Sequence, residues 1–70
     1  MQKLPIVSSN LSAIGHDPRM MVLEVEFKNG SVYQYSGVSS SVYDALVSAD
    51  SHGNYFNTYI KDSYSCSQVI

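Results

Sequence analysis

From Met20 to Phe27 the apolar and polar positions alternate. Leu23, Val25 and Phe27 share one side, and Glu24 and Glu26 the other, which is the period of a strand with one buried face. A second such run covers Ser31 to Ser36, and the Asn29-Gly30 pair between them tolerates the positive φ of a hairpin turn. Upstream, Ser9 to Gly15 alternates weakly, placing Leu11 and Ala13 on one side and Asn10, Ser12 and Ile14 on the other, and Asp17-Pro18-Arg19 supplies a turn. After Gly37 the period lengthens. Val42, Ala45, Leu46 and Ala49 fall at helical spacing, with Ser41 and Asp44 spaced as a capping box. Asp50-Ser51 can then cap a second short helix carrying an aromatic stripe, Tyr55, Phe56, Tyr59 and Ile60, for which core packing is the usual role.

The register of the hairpin decides what its tyrosines do. A two-residue loop at Asn29-Gly30 would oppose Glu26 to Tyr33 and Glu24 to Tyr35, leaving both rings beside glutamates. A three-residue loop, Lys28-Asn29-Gly30, opposes Val25 to Tyr33 and Leu23 to Tyr35. Only the second gathers Leu23, Val25, Phe27, Tyr33 and Tyr35 on one face and Glu24, Glu26, Gln34 and Ser36 on the other, with Val32 alone out of place. The first would bury Gln34 and Ser36, at about 1–3 kcal/mol for each group left without a partner. The pattern therefore predicts the three-residue loop, with the tyrosine rings toward the core and their hydroxyls at its rim.

The expected fold is α+β: a three-stranded antiparallel β-meander followed by two short helices packed on one face. Seventy residues make one domain, and so short a chain buries only about 60% of its unfolded surface. Cys66 is the only cysteine, so packing or self-association, as a homodimer or higher oligomer, must supply what an internal disulfide cannot. The apolar run at the start is short and broken by Pro5, and none approaches the roughly 18 residues of a membrane span. With a lone cysteine, this predicts a cytoplasmic protein with no membrane partner. Lys3, Arg19, Lys28 and Lys61 face six acidic residues, for a net charge of −2, too few cations for a track on long nucleic acid.

Three segments, "VSSNLSAIGHD", "LEVEFKNGSVYQYSGV" and "VYDALVSADSHGNYFNTYIK", together resemble the KTSC domain, a small module found at the C-terminus of some lysyl-tRNA synthetases and as free-standing bacterial and phage proteins. Tyr33-Gln34-Tyr35, Gly53, Tyr55-Phe56-Asn57 and Ile60 carry the resemblance, which covers about residues 7–64 and leaves an N-terminal arm, 1–6, and a tail, 65–70. It implies RNA binding only through the synthetase context. Lys61 stands where the family tends to have arginine, and the tail "DSYSCSQVI" lacks the family's basic residues; an ammonium does not reproduce the bidentate phosphate geometry of a guanidinium.

Asp50-Ser51-His52 has the letters of a hydrolytic triad, but neighbours in sequence do not generally align in one hydrogen-bonded row. His16 and His52 read as surface histidines and Cys66 as a bystander thiol. No metal-ligand spacing or phosphate loop occurs, so neither metal nor cofactor is expected, and the chain reads as non-catalytic. The expected role is a binding module for a small nucleotide or short RNA. Tyr33, Tyr35, Tyr55 and Phe56, with Tyr59, would stack on a base, Asn57 would meet a base edge, and Arg19 or Lys61 a phosphate. The alternative is a protein-interaction module or small phage-type inhibitor with a protein partner.

Overall fold

A computed structural model describes residues 2–70. Its strands are β1 (Leu4–Pro5), β2 (Leu11–Asp17), β3 (Val22–Phe27), β4 (Val32–Ser36) and β5 (Cys66–Gln68), an antiparallel sheet in that order. The central three form the expected meander. The expected count of three is corrected to five, because the N-terminal arm and the C-terminal tail each supply an edge strand. These edges are two and three residues long and bury none of their residues, so neither leaves an alternating pattern in the sequence.

Within the hairpin, Val25 opposes Tyr33 and Leu23 opposes Tyr35. Phe27 N–H donates to the Ser31 carbonyl at 2.9 Å and Gly30 N–H to the Phe27 carbonyl at 3.0 Å. Gly30 has φ 92°, so the loop is Lys28-Asn29-Gly30 with glycine in the left-handed position. Val32, in the opposite phase, is only 3% exposed. Its N–H donates to the Ile70 carbonyl at 3.1 Å, and its carbonyl accepts from Val69 N–H at 2.8 Å.

Strand β2 departs from simple alternation. Leu11 opposes Phe27 while Ala13 opposes Glu26, so Ser12 is an extra residue. This bulge shifts the phase, and Leu11 shares the buried face with Ile14 rather than with Ala13. The strand runs on to Asp17, whose Oδ1 accepts from Arg19 N–H at 3.0 Å and Met20 N–H at 3.3 Å. That turn delays β3 until Val22, two residues later than the alternation suggests.

Helix α1 spans Ser40–Ser48 and is capped by Ser39 rather than Ser41: Ser39 Oγ accepts from Val42 N–H at 3.3 Å. Ser41 sits inside the first turn, its hydroxyl 3.0 Å from that of Ser39. Helix α2, His52–Tyr55, is capped by Ser51, which accepts from Asn54 N–H at 3.2 Å. It continues as a π-helical turn, Phe56–Ile60, closed by Lys61 N–H donating to the Phe56 carbonyl at 2.9 Å. Leu46, Phe56 and Ile60 from these helices, with Val38, meet Leu11, Ile14, Leu23, Val25 and Tyr35 from one face of the sheet. On the other face Lys3 Nζ lies 2.7 Å from Glu26 and 3.5 Å from Glu24, and Glu24 also accepts from Gln34 at 2.9 Å. The hydrogen bond to Glu26, reinforced by both carboxylates, holds the Lys3 ammonium above its ordinary pKa.

The histidines are not simple surface residues. His16 Nε2 donates to the Val38 carbonyl at 2.6 Å while its ring stacks on Tyr43, 5.1 Å between centroids. His52 Nδ1 donates to the Leu46 carbonyl at 2.8 Å. A carbonyl only accepts, so each of these ring nitrogens carries a hydrogen. With Ser51 committed to its cap, the side chains of Ser51 and His52 serve the backbone at the α1–α2 junction.

Candidate ligand groove

The hairpin and the π-helical turn face each other across an open groove of about 440 Å³, within the roughly 300–1,000 Å³ of small-molecule sites. β4 places Tyr33 and Tyr35 along it because both project from the same face of the strand. A chain of edge-to-face contacts fixes the aromatic side: Tyr33 to Phe27 at 5.6 Å, Phe27 to Phe56 at 5.8 Å and Phe56 to Tyr35 at 5.3 Å. Such geometry suits the ring quadrupoles. The π-helical turn contributes Asn57 and, four residues on, Lys61, while Asp62 follows it and Asn10, Asn29, Ser31 and Cys66 complete the lining. π-Turns recur at functional sites in proteins generally.

Two aromatic hydroxyls mark the groove's far side. Tyr33 Oη donates to Gln68 Oε1 at 3.2 Å. The Tyr35 ring is 4% exposed, and burial, aided by the adjacent Cys66 thiol, Tyr33 and Asp62, pushes its phenol up to about 12. Tyr35 is therefore a neutral hydroxyl at physiological pH.

Of the eight residues singled out from sequence, Tyr33, Tyr35, Phe56, Asn57 and Lys61 line this groove. Tyr55 does not: its ring lies 4.7 Å from that of Tyr59, which is 58% exposed, so the aromatic stripe divides between core and surface. Arg19 is exposed in the β2–β3 turn and lines no part of the groove. Sequence reasoning missed Asn10. Its carbonyl accepts from Lys28 N–H at 2.9 Å, which ties the entry to β2 onto the hairpin loop, a contact visible only once the strands are paired. The side-chain amides of Asn10 and Asn57 engage no hydrogen-bond partner among the described residues. Ion pairs among those residues involve Lys3 alone, which leaves the Lys61 ammonium available. The arrangement offers ring surface, amides with both donor and acceptor atoms, and one cation, Lys61, next to one carboxylate, Asp62.

The family model for the KTSC domain matches residues 7–64. A Stutzerimonas stutzeri protein described as uncharacterized is 41% identical over 64 residues, covering 91% of this chain and 90% of its own. A lysine–tRNA ligase of a Nostoc species is 34% identical over 61 residues, which are 87% of this chain but 11% of the ligase. The crystal structure of a KTSC domain protein from Yersinia pestis superposes with a TM-score of 0.93 at 36% identity, covering 99% of this chain and 97% of that one.

Proposed function

This chain belongs to the KTSC domain family, and from that premise we propose that it is a non-catalytic binding module whose groove takes a nucleotide. The supporting observation is the meeting of Tyr33, Phe56, Asn57 and Lys61 around one cavity of ligand size. Base stacking on an aromatic ring contributes about 1–3 kcal/mol. An asparagine amide matches the donor and acceptor pair on an adenine edge, and a single ammonium serves a single phosphate. The net charge of −2 disfavours long RNA, whose binding draws on many cations, and leaves a mononucleotide or a short oligonucleotide.

Isothermal titration with adenosine, guanosine, cytidine and uridine monophosphates tests this reading. At least one gives saturable binding, and Asn57→Ala and Tyr33→Leu each weaken it by about 5- to 150-fold, the equivalent of 1–3 kcal/mol. Absence of saturable heat with all four, or full affinity in both variants, contradicts it.

A further inference from the structure

The groove does not end at its aromatic wall. A second crevice of about 270 Å³ adjoins it through Asn10, Phe27 and Asn29, and is completed by Ser9 and Lys28. It is slightly smaller than a typical complete ligand site and so suits one further part of a ligand already held next door. Each compartment has its own lysine: Lys61 lines the groove and Lys28 the crevice. Neither is ion-paired among the described residues. Asn10 borders both compartments, with its amide unengaged. Another crevice, about 180 Å³, also touches Asn10, but it is lined by Ser8, Asp50, Ser51 and His52 and has no lysine or arginine. An anionic extension is drawn toward Lys28 and away from Asp50.

We propose that the preferred ligand is a dinucleotide, with one nucleoside in the aromatic groove, the second in the Lys28 crevice, and Asn10 bridging the two. This rests on the nucleotide reading of the groove and adds to it the length of the ligand and its second cation. Lys28 interacts with a phosphate of the second unit, an attraction between unlike charges that weakens as salt rises.

Titrations with adenosine monophosphate, adenosine diphosphate and 5′-phosphorylated linear diadenylate, at two salt concentrations, test it. The diadenylate binds at least tenfold more tightly than the monophosphate. The diphosphate, which adds charge without a second nucleoside, recovers less than a third of that gain. Lys28→Ala abolishes most of the diadenylate's advantage and leaves monophosphate affinity within twofold, whereas Asn10→Ala weakens the diadenylate by more than fivefold. Circular dichroism confirms that both variants are folded. If the monophosphate binds and the diadenylate gains nothing, or Lys28→Ala changes neither, the dinucleotide proposal is wrong while the nucleotide reading stands. Absence of binding by all three overturns the dinucleotide proposal, and the nucleotide reading falls with it only if guanosine, cytidine and uridine monophosphates also fail to bind.

Discussion

Tyr33 and Tyr35 differ by one turn of the pleat but not by face, and their environments diverge because of what the strand meets at each end. Tyr35 is packed against Phe56 and opposed by Cys66, whereas Tyr33 stays half-buried with its hydroxyl on Gln68. The Tyr35 phenol, pushed up to about 12 from an ordinary 10, gives a pH signature. Between those values the unfolded chain has released this proton and the folded chain has kept it, so the contribution to stability is complete below pH 10 and is lost as pH rises through about 12. Burial and the nearby Asp44 carboxylate also raise the Tyr43 phenol, so spectrophotometric titration of tyrosinate is expected to show a late-ionising fraction from which Tyr35→Phe removes the latest part; ionisation of every tyrosine near pH 10 would contradict it. That both rings belong to the core face was legible in the sequence, since Gln34 and Ser36 sort to the other side. Their separate roles were not, because the residues that distinguish them arrive from the π-helical turn and the tail, more than twenty positions away.

At the scale of elements, the hairpin and the caps are the most local features and the most exposed to single substitutions. Gly30 has φ 92°, and a Cβ there would meet nothing within 4 Å, so Gly30→Ala acts through the backbone alone. The left-handed conformation costs an L-residue about 1–2 kcal/mol, and a loss of unfolding free energy of that size in urea titration, seen as a lowered midpoint, is expected. Ser39→Ala removes the hydroxyl that caps α1 and should cost about 1 kcal/mol; Ser41→Ala, inside the helix, should cost less than half of that. A larger loss in Ser41→Ala than in Ser39→Ala would contradict the cap at Ser39. The hairpin register could be read because a slip of one residue reverses every side chain. The Ser12 bulge could not, because Leu11 and Ala13 satisfy an unbroken alternation equally well until β3 is laid beside them. The π-turn was hidden for a similar reason: Tyr55, Phe56, Tyr59 and Ile60 fit one helical face, and only the Lys61 to Phe56 hydrogen bond reveals the wider turn.

For the molecule as a whole, no helix among the described residues is long and apolar enough to cross a membrane, and the two chain ends finish the sheet. β1 has two residues, one of them Pro5, which has no N–H to donate. A homodimer that extends the sheet is therefore proposed to pair through β5. Light scattering across a concentration series is expected to show a weak, concentration-dependent dimer, and a monomer throughout would remove the proposal. The ends also explain why the groove was only partly legible. Tyr33, Tyr35, Phe56, Asn57 and Lys61 lie in patterned segments, whereas Asn10 and Cys66 join them through strand pairing that no local period announces. The central claim is that the hairpin, the π-helical turn and Asn10 form one nucleotide site. Its most direct test is a two-dimensional NMR titration of the isotopically labelled protein with adenosine monophosphate and the diadenylate. The account predicts saturable shifts concentrated at the side-chain amides of Asn10 and Asn57 and the backbone of Tyr33 and Lys61, extending to Lys28 with the diadenylate alone. Shifts centred on Tyr55, Tyr59 or the Lys3 face, or no saturable shift at all, would contradict it.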